Sequence, residues 1–285
     1  MTDIQIHLTQ YLSENRIDLF LIYGDRAEAL AAALACLHTN TLYWHMQAGD
    51  HTGTHDDTMR QMIERGAAWH FCSNEQSADR LLDSGISAFL ITGDQHLDAF
   101  IFDDLFSISN PHKPFNPYAV LHMHPDPSDH SARAVRHTQM CIDACIADNL
   151  EIVAIYPCSD PGCEAIIEVL NRNRGPRMHV YKNIPGWEYR NLLKYADICI
   201  GNSSSFVIET PFIGIRSLVI GSRQAGRSMD SDFVTFLLDP DSSAEVAHYL
   251  KDRLELPRPI ENSTLYGTGA ANADIYGFIK QEFEL

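Results

Sequence analysis

Short apolar runs alternate with longer amphipathic segments along the whole chain. Short runs bounded by Gly, Pro or Asp are typical of buried strands, and longer segments with apolar positions three and four apart are typical of helices. This alternation predicts an α/β protein with parallel sheets. The predicted strands are 17–25, 41–49, 70–75, 88–94, 118–124, 151–157, 178–184, 198–202 and 217–222. The predicted helices include 27–37, 56–69, 131–149 and 186–196.

A proline-rich stretch separates two such series of elements. The segment FSISNPHKPFNP (106–117) carries three prolines and no apolar period, which is typical of an interdomain linker. A chain of 285 residues is long enough for two ordinary domains. We therefore expect one domain in residues 1–110 and a second in 111–285, with the final helix free to pack back on the first.

Charge and composition exclude several classes of protein. A net charge of −17 disfavours nucleic acid and anionic membranes as partners. The opening residues lack the basic segment and cleavage site of a signal peptide, so a cytoplasmic location is expected. Seven cysteines form no CxxC pair, which favours reduced thiols over disulfides or zinc. Among the fourteen histidines, His45, His51, His55, His122 and His124 lie in loop-like segments, without the helical i, i+4 pairing of a zinc protease. No metal or other cofactor is predicted.

Polar residues at predicted strand ends are candidates for ligand contacts, because open parallel sheets bind ligands there. The stretch IGNSSSFVIET (200–210) places three serines between a strand and a helix. The serines could cap the helix, since hydroxyls accept bonds from its first N–H groups. Alternatively, the helix start could bind a phosphate, because serine hydroxyls and the free N–H groups of a helix start can both donate hydrogen bonds to an anion.

Two further groups of charged residues each allow two interpretations. The loop GSRQAGR (221–227) follows the last predicted strand, and its two arginines could bind phosphate or lie on the surface. Asp25 ends one strand, while Asp56 and Asp57 open the helix after the next. These acids could stabilise helix starts or could perform proton transfer.

Six motifs together resemble the UDP-N-acetylglucosamine 2-epimerase family. They occur in the order and spacing of its hydrolysing branch, which makes N-acetylmannosamine-type sugars and UDP on the way to sialic-acid-type sugars. The resemblance implies a GT-B-like architecture, in which two Rossmann-type domains with parallel sheets hold a UDP-sugar in the cleft between them. The motifs are YGDRAEALAAALA, HMQAGDHTGTHDDTMRQMIERGAAWHF, VLHMHPDPSD, YPCSDPG, IGNSSSFVIETPFIGI and IGSRQAGR.

The resemblance also implies roles for individual residues. The acids of the motifs and the histidine of the His-Pro pair would carry out the acid and base chemistry. They are Asp25, Asp56, Asp57 and His124. Other residues would contact the nucleotide sugar, among them serines that bind the diphosphate and an acid that holds the ribose. They are Arg26, Gln47, Arg60, Ser203, Ser204, Ser205, Glu209 and Arg223. The triple serine would then bind a diphosphate.

The chain departs from the family pattern in three places. Family members carry further residues ahead of strand 17–25, so the first domain is expected to be incomplete and its sheet edge to favour pairing with a second copy. Gln47 stands where the family usually has a catalytic glutamate, and an amide cannot exchange a proton. Phe206 and Cys158 replace a small residue and an asparagine. Two alternatives therefore remain, a homologue that binds a UDP-sugar with little turnover and a GT-B glycosyltransferase.

Overall fold

The computed structural model describes residues 2–102, 109–126 and 132–284. These residues form two units, one comprising Met1–Asp98 with Tyr266–Leu285 and the other Ala99–Leu265. The division thus falls after Asp98, earlier than the boundary expected after residue 110. Residues 106–108 of the expected linker lie outside the described residues, and 109–117 form neither helix nor strand. Within the described part of the chain, no helix is both long and apolar enough to cross a membrane.

The first unit contains a four-stranded parallel sheet in the order β1-β2-β3-β4. Each strand is connected to the next by a helix, as the alternating pattern predicts. The strands are β1 (Phe20–Tyr23), β2 (Tyr43–Ala48), β3 (Trp69–Cys72) and β4 (Phe89–Ile91). The first helices are α1 (Thr2–Glu14), α2 (Ala27–Thr39), α3 (Asp56–Glu64), α4 (Glu75–Asp83) and α5 (Gln95–Phe102).

The second unit contains a six-stranded parallel sheet in the order β10-β9-β8-β5-β6-β7. Numbered within the unit, this is the order 6-5-4-1-2-3, a Rossmann-type arrangement whose direction reverses between β5 and β8. Its strands are β5 (Tyr118–His122), β6 (Glu151–Ile155), β7 (Met178–Tyr181), β8 (Ile198–Gly201), β9 (Ser217–Ile220) and β10 (Val234–Leu237). Its helices are α6 (Ala132–Ala147), α7 (Cys163–Arg172), α8 (Gly186–Tyr195), α9 (Ser205–Phe212) and α10 (Ser243–Glu255).

The last helix, α11 (Ala271–Glu282), belongs to the first unit. Its Phe278 ring packs 4.7 Å from Trp69 and 5.3 Å from Trp44, measured between ring centroids. The Asp98 carboxylate accepts hydrogen bonds from the first backbone N–H groups of the helix, at 3.0 Å from Ala271 and 2.7 Å from Asn272. A carboxylate at this place accepts from N–H groups that have no partner within the helix, and its negative charge interacts favourably with the positive end of the helix dipole.

The predicted elements differ from the observed ones mainly at their ends. The predicted helix 56–69 was too long, because the chain turns at Gly66 and enters β3 at Trp69. The strand predicted over 88–94 ends at Ile91, and Gly93 turns with φ +86°. The strand β10 was not predicted.

Candidate functional site

Three predicted site residues meet after the first two strands of the first unit. Asp25 follows β1 through Gly24, which turns with φ +76°. Arg60, on α3, donates one Nη2 hydrogen bond to Asp25 and one Nη1 hydrogen bond to Asp57, the latter at 2.8 Å. The Arg60 side chain is only 2% exposed. One buried guanidinium is thus shared by two carboxylates, so removing it would leave both acids without their common cation.

Asp57 holds the loop that precedes α3. Its carboxylate accepts hydrogen bonds from the Thr52 and Gly53 N–H groups, both at 2.9 Å, and lies 2.7 Å from the His51 ring. Burial favours the neutral acid, but these bonds and Arg60 outweigh it and lower the pKa of Asp57. Its oxygens are therefore already engaged by the protein.

Asp56 and Arg26 are more open to solvent. The Asp56 side chain is 25% exposed and lies 3.7 Å from the ring of His55. The Arg26 guanidinium forms a half-exposed ion pair with Glu28 at 3.1 Å. Of the two adjacent acids that open α3, Asp56 is the one better placed to meet a ligand.

Gln47 lies near the end of β2 and contacts an acid that the sequence analysis did not select. Its Nε2 donates to Asp94 Oδ2 at 2.5 Å. Burial favours the neutral form of Asp94, but hydrogen bonds from His96 and Gln47 outweigh it and lower the pKa of this carboxyl. Asp94 is thus a buried, ionised group beside a predicted site residue.

In the second unit, the predicted residues gather where the strand order reverses. β5 and β8 are parallel neighbours there, with His122 paired to Gly201. A Cβ at Gly201 would lie 2.2 Å from the His122 carbonyl oxygen, so only glycine allows this approach. Just beyond, Asn202 accepts a hydrogen bond from the His124 N–H at 2.6 Å and donates to the His124 carbonyl at 2.9 Å. Rossmann-type sheets bind ligands at this reversal.

The orientation of His124 is fixed by its neighbours. Its Nδ1 accepts a hydrogen bond from the Cys158 N–H at 3.0 Å. In the neutral ring the proton therefore sits on Nε2, which becomes a donor. The centroid of the His122 ring lies 4.3 Å from that of His124, and burial lowers the pKa of His122 to about 4. His122 is accordingly neutral at ordinary pH.

The serines lie at the start of α9. Ser204 is the N-cap residue, but its hydroxyl makes no capping hydrogen bond. The Ser203 Oγ accepts a long bond of 3.4 Å from the Ser205 N–H. Capping alone thus does not explain Ser204. Phe206 is fully buried, and its carbonyl accepts hydrogen bonds from the Thr210 and Ser217 hydroxyls, at 3.1 and 2.5 Å.

The remaining predicted residues lie near this reversal. Arg223 donates to the Pro125 carbonyl at 2.8 Å and forms an ion pair with Asp160 at 3.3 Å. Glu209 lies one turn into α9, close to Tyr189. Burial and the Glu209 charge raise the pKa of Tyr189 well above its usual value, and the Ser205 and Ser203 hydroxyls oppose the shift.

Sequence reasoning missed Asp94 and Tyr189. Asp94 follows a glycine at a strand end, the same pattern that selected Asp25, so the signal was present. Tyr189 carries no such signal, because only the packing of α8 places it beside the serines. Across residues 2–102, 109–126 and 132–284, no group of three or more His, Cys, Asp or Glu side chains is arranged to hold a metal ion.

Comparisons with known proteins agree with the motifs. A family model described as UDP-N-acetylglucosamine 2-epimerase matches residues 1–280. The chain is 29% identical over 280 residues to the UDP-N,N'-diacetylbacillosamine 2-epimerase (hydrolyzing) of Legionella pneumophila, covering 95% of this chain and 73% of that protein. It is 29% identical to the UDP-N-acetylglucosamine 2-epimerase of Neisseria meningitidis serogroup B over 76% of this chain and 59% of that protein.

A solved structure has the same fold. The crystal structure of UDP-GlcNAc 2-epimerase from Neisseria meningitidis, bound to UDP-GlcNAc, superimposes with a TM-score of 0.79 and 19% identity. The match covers 98% of this chain and 81% of that chain. The expected GT-B-like α/β architecture is therefore confirmed.

Proposed function

Because the chain belongs to the UDP-N-acetylglucosamine 2-epimerase family, we propose that it is a hydrolysing epimerase of UDP-linked 2-acetamido sugars. The observation that carries the proposal is the group of donors at the reversal point of the second sheet. His124, Asn202 and the serines of α9 gather there after two neighbouring strands. Such a site suits a diphosphate, because a helix start offers N–H groups and partial positive charge to an anion.

The proposed reaction needs two kinds of residue. A base removes the proton from C2 of the sugar while the bond between C1 and the UDP oxygen breaks, which gives a 2-acetamidoglucal and UDP. Water then adds its hydroxyl to C1 and a proton returns to C2 from the opposite face. Proton transfer and stabilisation of the leaving diphosphate are therefore both required.

The second unit supplies contacts for UDP in this proposal. The hydroxyls of Ser203, Ser204 and Ser205, with the N–H groups of α9, would receive the diphosphate. His124 would donate from Nε2 to the departing phosphate oxygen, because its Nδ1 is occupied by the Cys158 N–H. Glu209 would accept from the ribose hydroxyls, since a carboxylate suits such donors.

The first unit supplies the acids. Asp25 and Asp56 are the candidates for proton transfer, because Asp57 is engaged by the loop that it holds. Arg60 fixes the position of the Asp25 carboxylate through its Nη2 hydrogen bond. Arg26, half-exposed beside Asp25, would contact the sugar nucleotide.

The names of the relatives indicate the sugar class. One is named for UDP-N,N'-diacetylbacillosamine and the other for UDP-N-acetylglucosamine. Both substrates carry an acetamido group at C2, so we propose a UDP-2-acetamido sugar without choosing its other substituents. A place in sialic-acid-type biosynthesis, a cytoplasmic location and pairing with a second copy stay predictions.

The decisive experiment is incubation with UDP-N-acetylglucosamine in D₂O. We expect release of UDP together with N-acetylmannosamine that carries deuterium at C2, because the proton that returns comes from solvent. His124→Gln should lower this rate by about 100-fold or more, the lower end of the range for proton donation and charge stabilisation. His179→Gln, a histidine of the same unit paired with Glu151, is the matched control.

Binding of UDP tests the nucleotide contacts separately. Arg223→Ala should weaken UDP binding in calorimetry by about 1.5–3 kcal/mol, the value of hydrogen bonds to charged groups. UDP binding without turnover would favour a homologue that only binds. Transfer of the sugar to an acceptor without deuterium at C2 would favour a glycosyltransferase.

A further inference from the structure

Gln47 has an unusual backbone. Its φ is +60°, in the left-handed region that residues with a side chain rarely adopt. The pairing of β2 with β3 also shifts at this point, since Met46 pairs with Phe71 and Ala48 with Cys72. Gln47 is therefore the extra residue of a β-bulge. Bulges and strained backbone re-aim side chains, and both occur preferentially at functional sites.

The side chain of Gln47 is held as firmly as its backbone. Asp94 is 1% exposed, and its Oδ2 accepts the Gln47 Nε2 at 2.5 Å. The other oxygen, Oδ1, accepts the His96 N–H at 2.9 Å and lies 3.4 Å from the His96 ring. Because an ionised carboxylate can only accept, the amide must turn its nitrogen to Asp94 and its oxygen away.

The direction of that oxygen follows from a second contact. Gln47 Oε1 lies 3.9 Å from the position that a Cβ on Gly24 would occupy. Gly24 immediately precedes Asp25, the acid paired with Arg60. The bulge and Asp94 together thus present a half-buried acceptor oxygen beside the turn that carries a proposed catalytic acid.

We propose that Gln47 is a fixed hydrogen-bond acceptor for the acetamido N–H of the sugar, and that Asp94 is the positioning residue that holds it. The inference rests on the proposed function, since it assumes a 2-acetamido sugar. It explains how the site works with an amide where relatives of the family usually carry a glutamate. The amide keeps the acceptor oxygen and gives up proton exchange, which then falls to Asp25 and Asp56.

Asp94 is not itself the missing base. Both of its oxygens are occupied, and its side chain is closed to solvent. A base must reach the proton that it removes, within about 3.2 Å or through one water. Asp94 can act on the substrate only through Gln47.

The test compares two ligands across four variants and one control variant. Calorimetry with UDP, which has no acetamido group, is the reference for UDP-N-acetylglucosamine. Gln47→Met removes the acceptor at similar size and should weaken binding of UDP-N-acetylglucosamine roughly 3- to 10-fold, the value of one neutral hydrogen bond, with UDP binding unchanged. Asp94→Asn should cause part or all of the same loss of affinity. An asparagine at position 94 can both donate and accept, so it no longer fixes which end of the Gln47 amide faces the sugar.

Coupling between the two positions is the sharpest readout. In the Gln47→Met background, Asp94→Asn should add no further loss of sugar-nucleotide affinity, since its effect passes through Gln47. The double swap Q47E/D94N should restore affinity towards wild type, because the amide introduced at position 94 would hold an acceptor oxygen at position 47. Asp98→Asn is the matched control, a buried acid of the same unit that binds the start of α11.

Three results would overturn the inference. Unchanged affinity of Gln47→Met for the sugar nucleotide would remove the acceptor role. Additive losses in the double variant would show that Asp94 acts independently of Gln47. A loss of kcat at unchanged KM in Asp94→Asn would make Asp94 a base. If Asp94→Asn does not fold, the comparison of UDP and UDP-N-acetylglucosamine in Gln47→Met still decides. Failure of the proposed function is separate, because the wild type would then release no UDP and no deuterated N-acetylmannosamine, whereas the binding comparison would still report on Gln47.

Discussion

The buried Arg60 makes a strong prediction for stability. Replacing it with Met keeps an apolar stem of similar length but leaves Asp25 and Asp57 without their shared cation. We expect Arg60→Met to lower the free energy of unfolding of the first unit by about 3–5 kcal/mol at pH 7, the usual cost of removing one partner of a buried ion pair.

The structure supports the upper part of that range. Arg60 makes a third hydrogen bond, from Nη1 to the Asp50 carbonyl at 2.6 Å, so its loss also removes a hydrogen bond to a buried acceptor. The side chain is 2% exposed, so water cannot readily replace it. Since domains are stable by only about 5–15 kcal/mol, the variant should be close to unfolding.

The assay needs a signal from the first unit alone. Trp44 and Trp69 lie in that unit, packed against Phe278, whereas Trp187 is exposed in the second. Urea unfolding followed by tryptophan fluorescence in a Trp187→Phe background therefore reports the first unit. Arg65→Met is the matched control, because Arg65 follows α3 and lies closer to solvent than Arg60, and it should change stability by less than about 0.5 kcal/mol.

The pH dependence distinguishes charge from packing. The pKa of Asp57 is lowered in the folded chain, so its ion pair stabilises the fold above the ordinary aspartate pKa and this contribution is lost as pH falls through the folded pKa. The difference between Arg60→Met and wild type should therefore be largest at neutral pH and shrink below about pH 4. A loss under about 1 kcal/mol at pH 7, or a loss equal at both pH values, would refute the reasoning.

Two further predictions concern the cores of the units. Burial, with a contribution from the Arg60 charge, lowers the pKa of His45 to about 3, so the unfolded chain binds a proton below about pH 6.5 that the folded chain rejects. The free energy of unfolding should thus decrease as pH falls from about 6.5 towards 3. In urea unfolding at several pH values, His45→Gln should reduce this slope by up to about 1.4 kcal/mol per pH unit. Phe206→Ala should destabilise the second unit by about 3–5 kcal/mol in denaturant unfolding, whereas the exposed Phe115→Ala should change it little. An equal effect of the two phenylalanine variants would contradict the burial of Phe206.

The fold could be predicted from periodicity because most strands are short, continuous apolar runs. The four residues of β8 are all buried, as are those of β9, so a largely apolar run is what fits there. The strand β10 escaped prediction because only Val234 is fully buried and the run VTFL is too short to stand out. The order of strands could not be read from periodicity, since pairing depends on contacts between distant segments.

The candidate site shows the same limit at the level of single residues. Gly-Asp pairs at strand ends are visible in the sequence, but only the fold shows that Arg60 joins Asp25 to Asp57. The motif alone indicates that Gln47 replaces an acid and therefore cannot transfer a proton. The left-handed backbone of Gln47 and its bond to Asp94 depend on the bulge, which no local pattern indicates.

The distribution of charge explains how a chain with net charge −17 could still bind a diphosphate. Arg60 is neutralised by two acids, and Arg223 is already paired with Asp160. Their long-range attraction for an anion is therefore reduced, and Arg223 would act on the diphosphate through direct hydrogen bonds. Arg26, a further proposed contact, is paired with Glu28. The hydroxyls and the N–H groups of α9 are uncharged donors. Uncharged donors cost less to hold in an empty site than unpaired charges do. They act most strongly when a bound anion excludes water, because the local dielectric then falls.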